Sequence, residues 1–153
     1  MNVGTLWRSA HILGADFIFT VGRRYRHQSS DTTKAWKSIP LWHFNEIDEL
    51  LSHSPKDARL VGVELDERAT DLSAYSHPER AIYLLGAEDH GIPEKTLDRC
   101  HDLIQLPGDY SMNVATAGSI VLYDRIAAPA NTHPGAGAAE PINESQQSKE
   151  TNR

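Results

Sequence analysis

The apolar positions of this 153-residue chain follow two periods that alternate along its length. Leu6, Ala10 and Leu13 recur at three- and four-residue spacing, which predicts a helix over 5–13 that stops at Gly14. The compact β-branched and aromatic run Phe17 to Val21 predicts a buried strand. Residues 22–38 are polar and basic without a period, which predicts a loop. Leu41 to Phe44 reads as a short strand, and Asn45 as the cap of a helix reaching about Leu51, with acids in its first turn. Strands follow at 59–65 and 81–85, separated by a polar stretch. Pro93 opens a helix through about Arg99, residues 102–106 form another strand, and 114–127 form a helix with Val114, Ala117, Val121 and Leu122 on one side. Strands alternating with helices predict an α/β fold, a mostly parallel sheet covered by helices on both faces.

From Pro129 onward Pro, Gly, Ala, Asn, Ser, Gln and Glu dominate, and Ile142 is the sole large aliphatic residue. Such a segment buries too little apolar area to offset its ordering entropy. The chain is therefore expected to divide into one domain over 1–127 and a disordered tail over 128–153.

Composition narrows the class without naming it. With 39% apolar and 24% charged residues the chain is ordinary for a globular protein. No apolar run approaches the roughly 18 residues a membrane helix needs, and the N-terminus has no basic-then-apolar secretory pattern, so neither membrane nor export is expected. A single cysteine, Cys100, excludes an intrachain disulfide framework and fits the cytoplasm. Cys100 stands near a helix end and is expected to be a structural thiol rather than a nucleophile. The net charge of -6 argues against wholesale nucleic-acid binding, yet Arg23, Arg24, Arg26, Lys34 and Lys37 face only one acid, Asp31, within 21–38. Phosphate binding needs such a local basic face rather than a basic total. The eight His residues show no ligand spacing, and no metal is expected.

Three segments stand where a strand ends or a helix begins, the places at which open α/β sheets collect ligands. They are Asn2-Val3-Gly4 to Arg8, Gly86-Ala87-Glu88 to Gly91, and Ser111-Met112-Asn113 to Ala117. Taken singly, each has a plain structural explanation: glycines for turns, Ser111 or Asn113 as helix caps, Arg8 as a solvated charge. Taken together, their order and spacing resemble the SpoU/TrmH branch of the knotted SPOUT RNA methyltransferases. That branch carries an Asn-x-Gly-x-x-x-Arg segment, a Gly-x-Glu-x-x-Gly segment and a Ser-x-Asn-x-x-x-Ala segment in this order. The resemblance covers about residues 2–126.

The resemblance implies a C-terminal trefoil knot, an exception to the general absence of knots. It also implies S-adenosylmethionine as cofactor, a homodimer, and methylation of a ribose 2'-hydroxyl in RNA. Carried over, Gly86, Leu106, Ser111 and Met112 hold the cofactor, and Glu64 and Leu65 close over it. Arg8 is the catalytic arginine, supported by Asn2, Glu88, Ser111 and Asn113. The basic 23–37 segment then faces RNA, gripping phosphates without specifying sequence. The absence of a separate RNA-binding domain resembles minimal members of the family, several of which act on tRNA. Ribosomal RNA is the alternative substrate, and a non-catalytic RNA-binding dimer that keeps the knotted fold is the alternative role. A flavodoxin-like nucleotide-binding domain ranks below both, because no Gly-x-Gly-x-x-Gly loop follows any strand.

One departure stands out. The family places a strand directly before the Asn-x-Gly segment, and this chain starts at Met1-Asn2. The sheet is thus expected to lack its usual first strand. Either residues upstream are missing from the sequence or the sheet tolerates the loss, and the cost of an exposed edge favours the former.

Overall fold

The computed structural model describes residues 2–22, 25, 37–87 and 89–128. The expected tail beyond Ala128 lies outside the described residues.

The elements run α1 (Asn2–Ile12), β1 (Ile18–Val21), β2 (Leu41–Phe44), α2 (Ile47–His53), β3 (Arg59–Val63), β4 (Thr70–Asp71), β5 (Ala81–Leu85), α3 (Glu94–Leu97), β6 (Asp102–Gln105) and α4 (Val114–Ala127). Every strand foreseen from the sequence is present, with boundaries shifted by one or two residues. Helix α1 starts at Asn2, so the Asn-x-Gly segment is its first turn and not a lead-in. Strand β3 ends at Val63; the Glu64 N–H still donates to the Ile104 carbonyl at 3.0 Å, and the Glu64 carboxylate accepts the N–H of Leu65. The helix after Pro93 is a single turn.

Asn45 is not the cap of α2. Glu46 holds that position without a side-chain bond, and Asn45 donates its backbone N–H and side-chain amide to Glu49 Oε2, at 2.6 and 3.1 Å. The short β4 and the 3-10 turn Leu72–Ala74 were not foreseen. Only Leu72 of that stretch is buried, so no apolar period announces it.

All strand pairs are parallel. β1 pairs with β2, and a second sheet has the order β4-β6-β3-β5. Alternation along β3 and β5 separates two core layers. Leu60, Ile82 and Leu84 join Phe44, Leu50, Ile92 and Leu97 on the side of α2 and α3. Val61, Val63 and Ile104 meet Val121 of α4 on the other. Trp7 and Ala10 of α1 pack on Ile18 of β1, on Ile39 ahead of β2 and on Leu41 at its start, and the Trp7 indole N–H donates to the Ile39 carbonyl at 3.1 Å. Helices cover both faces, as the alternating pattern predicts.

Between the free edges of β1 and β5 runs a cleft of about 1960 Å³. Its side walls are the two strands themselves. Leu6, Gly118 and Leu122 line it from one face of the sheet, Ile47, Ile92 and Thr96 from the other. The gap therefore lies in the plane of the sheet.

Candidate cofactor and active site

Register brings three loops to one end of the molecule. Val63 is level with Leu85 on one side and with Ile104 on the other. The chain leaving β3 enters Glu64–Leu65, that leaving β5 enters Gly86–Ile92, and that leaving β6 enters Leu106–Asn113. Parallel strands all present their carboxyl ends here, the end at which such sheets bind ligands. Gly86, Leu106, Ser111 and Met112, named from sequence, thus share one rim with Glu64 and Leu65.

Glu64 does more than line the rim. Its Oε2 accepts the Ile92 N–H at 2.8 Å and its Oε1 accepts the Leu65 N–H at 3.1 Å. A Cβ at Gly86 would stand 2.7 Å from Oε2, and a Cβ at Gly91 would stand 2.5 Å from it. Gly91 makes room for this carboxylate, while Gly86 makes room for the Gly91 backbone as much as for the carboxylate, with the Gly91 C and Cα also 2.7 Å from where its Cβ would stand. Gly91 also has φ +64°, left-handed backbone that disfavours any side chain. The turn between them closes through paired Ala87–Gly91 backbone bonds of 2.8 and 3.2 Å. Arg68 fastens the chain beyond Leu65 to α3, reaching Asp66 at 2.8 Å, Glu94 at 3.0 Å and Asp98 at 3.2 Å. Hydrogen bonds from Arg68 hold the Asp66 carboxyl down at about 2.

The third loop is the most open. Gly108 takes φ +130°, Tyr110 is 88% exposed and Met112 41%, and Ser111 is exposed. Asn113 ends the loop as the N-cap of α4, its side chain accepting from the N–H groups of Ala115 at 3.0 Å and Thr116 at 3.4 Å. The cap meaning of Asn113 is therefore fulfilled, which does not exclude a second one.

Arg8 lies on the exposed face of α1, beside Thr5 and Ile12. The backbone of Asn2 opens the same helix, while its side chain lies outside the described part. α1 reaches the rest of the site through Gly118 of α4, where a Cβ would stand 2.5 Å from Leu6 Cδ1 and 3.3 Å from Leu85 Cδ2. The helices bearing the first and third segments thus cross in contact, over the end of β5. Glu88, Arg23, Arg24, Arg26 and Lys34 lie outside the described residues. Lys37 is described and exposed.

Sequence reasoning missed a part-buried polar cluster at the opposite end. His77 Nδ1 meets the Tyr83 hydroxyl at 2.5 Å, and Nε2 meets Asp124 at 2.9 Å. Arg125 donates to the carbonyls of Pro78 and Glu79 at 2.7 and 2.5 Å. The segment 77–80 is thereby tied across the end of α4. No period or motif announces the contacts of His77 with Asp124 and of Arg125 with Pro78, because these partners lie more than 40 residues apart. Burial pushes the Cys100 thiol up to about 11, in keeping with a structural thiol. Among the described residues no group of three His, Cys, Asp or Glu is placed to hold a metal, and no helix is long and apolar enough to cross a membrane.

Comparison with known proteins decides the family. The SpoU rRNA methylase family matches residues 1–123. The chain belongs to this family. Among curated SpoU-like relatives, the mouse (Mus musculus) tRNA (guanosine(18)-2'-O)-methyltransferase TARBP1 is 24% identical over 133 residues, 80% of this chain and 8% of that protein. The 23S rRNA (guanosine-2'-O-)-methyltransferase RlmB of Acinetobacter baylyi is 30% identical over 69 residues, 43% of this chain and 28% of its own length. An AdoMet-bound rRNA methyltransferase from Sinorhizobium meliloti superposes with a TM-score of 0.70 at 25% identity, over 81% of this chain and 50% of that one. The chain thus spans half or less of the length of each of these three proteins.

Proposed function

We propose that this SpoU family chain transfers a methyl group from S-adenosylmethionine to a ribose 2'-hydroxyl of RNA, with tRNA as its substrate. The convergence of Glu64–Leu65, Gly86–Ile92 and Leu106–Asn113 on one rim carries the proposal. An adenosyl group asks for an apolar slot with backbone partners, and that rim offers exposed Leu65 and Met112 beside the backbone of Gly86 and Leu106. The cofactor supplies an already activated sulfonium methyl. What the chain must add is alignment, which accounts for much of the rate in such transfers.

Backbone at Gly86, Leu106, Ser111 and Met112 holds the cofactor in this reading, and Arg8 holds the RNA phosphate beside the 2'-hydroxyl. A guanidinium stays charged at neutral pH and donates only, so clamping and charge stabilisation are its primary task and proton removal a secondary one. Asn2, Glu88 and Asn113 keep the loops and Arg8 in place. Arg23, Arg24, Arg26, Lys34 and Lys37 grip the RNA backbone. No metal takes part.

Several observations support the remaining architecture. Ile12 (71% exposed), Ile120 (37%) and Tyr123 (63%) leave an apolar face on α1 and α4, which a second copy covers in the proposed homodimer. The tie of segment 77–80 across α4 fits a helix threaded through a trefoil knot. The cleft between β1 and β5 suits an extended strand parallel to both; covered on both faces, that strand would be a continuous apolar run. A single half-buried thiol suits the cytoplasm.

Ribosomal RNA is the second reading, favoured by the rRNA activity named for the RlmB relative. Transfer of labelled methyl from S-adenosylmethionine to bulk tRNA and to ribosomal RNA separates the two. Incorporation into tRNA riboses is expected. Incorporation into ribosomal RNA alone favours the second reading, and cofactor and RNA binding without turnover would leave a non-catalytic dimer. A folded protein that binds no cofactor overturns the proposal.

A further inference from the structure

We infer that Glu64 is a positioning residue: a strut that sets the shape of the Gly86–Ile92 loop for the cofactor, rather than a group that touches the cofactor. The inference rests on the function proposed above and deepens it. Both carboxylate oxygens are committed to backbone, Oε1 to the Leu65 N–H and Oε2 to the Ile92 N–H. Oε2 also fills the space that a side chain at Gly91 would need, and shares the space beside Gly86 with the Gly91 backbone. The carboxylate therefore links the loop leaving β3 to the loop leaving β5, two walls of the same rim.

The chemistry requires a carboxylate and not merely its shape. Two N–H donors converge on one side chain, and an ionised carboxylate accepts at both oxygens, whereas a carboxamide accepts at one and presents an NH₂ to the other. The loss of an acceptor costs more at the Ile92 N–H, which is part-buried, than at the Leu65 N–H, which water reaches. Glu64→Gln, although isosteric, is thus expected to fail in part. Glu64→Ala removes the strut but also opens the space that forbids a Cβ at Gly91.

Titration calorimetry with S-adenosylmethionine, on the full chain and its variants, tests the assignment. Glu64→Ala is expected to weaken cofactor binding by roughly tenfold or more, and Glu64→Gln by an intermediate factor. The loss should fall mainly on cofactor affinity, so the KM for S-adenosylmethionine should rise by a larger factor than kcat falls. Gly91→Ala alone should bind worse than the double variant Gly91→Ala with Glu64→Ala, because removing the carboxylate relieves the 2.5 Å contact. Urea midpoints confirm that each variant is folded. Wild-type affinity in Glu64→Ala and Glu64→Gln, or strictly additive losses with Gly91→Ala, would overturn the strut while leaving the proposed function standing. A folded wild type that binds no cofactor would overturn both.

Discussion

Leu6 of α1 stands where a Cβ on Gly118 of α4 would have to be, with Cδ1 only 2.5 Å from that position. This contact seats the helix carrying Arg8 against the helix that opens at Asn113. Gly118→Val should therefore destabilise the protein by about 1–3 kcal/mol, although glycine is a poor helix former. A urea midpoint equal to or above wild type would show that Leu6 gives way freely.

Arg8 sits on the exposed face of α1, so its removal should leave the core intact. Arg8→Ala is expected to lower methyl transfer to RNA roughly 100-fold or more, with cofactor affinity unchanged. Initial rates at saturating cofactor check this; a rate matching wild type would remove Arg8 from the reaction.

Asn113 caps a 14-residue helix and belongs to the proposed cofactor loop. Asn113→Ala should cost about 1 kcal/mol of stability through the lost cap and weaken cofactor binding as well. Asn113→Asp keeps an acceptor for the Ala115 N–H and should restore stability. Thermal melts and calorimetry on the pair separate the cap from the binding role.

Asp102 anchors β6 to β3. It takes two bonds from Arg59, at 2.9 and 2.8 Å, and one from the Tyr75 hydroxyl at 3.1 Å. Hydrogen bonding from Arg59 holds its carboxyl below the ordinary value, against the opposing effect of burial. A lowered folded value means that this stabilisation is present above the unfolded carboxyl pKa and disappears as pH falls through the folded one. Asp102→Asn should be less stable than wild type by about 1–2 kcal/mol at neutral pH. The gap should close as pH falls below the ordinary carboxylate range. Urea midpoints across that range test the sign, and a gap that widens in acid would contradict it.

The cleft between β1 and β5 makes a constructive prediction. Fusing a short Val/Ile strand ahead of Asn2 should raise Tm by about 5 °C or more and protect β1 and β5 amides from hydrogen exchange. The same strand with a central proline should do neither, since proline cannot join a ladder. Equal melting of the two fusions would show that the cleft does not accept a strand.

Much of this fold was legible because short-range physics writes it locally. Phe17 to Val21 and Ala81 to Leu85 had to be strands from their β-branched and aromatic content alone, and Val114 to Ala127 had to be a helix from its period and its Asn113 cap. The rim was legible too, as three segments whose residue types suit turns and helix starts. The Asn45 cap was misjudged because the helix starts one residue later, with Glu46 at its cap, and Asn45 instead donates its N–H and side-chain amide to Glu49. β4 was invisible because two residues carry no period.

The sequence by itself determined the strands other than β4, the helices, the Asn113 cap, and which family the chain belongs to. Only the tertiary structure decided that the two glycines of the second segment lie against Glu64, that Leu6 docks on Gly118, and that β1 and β5 stand apart around a cleft. The reason is physical. Local propensity acts over a few residues, whereas these relations depend on parallel register and close packing between segments that the chain itself leaves far apart.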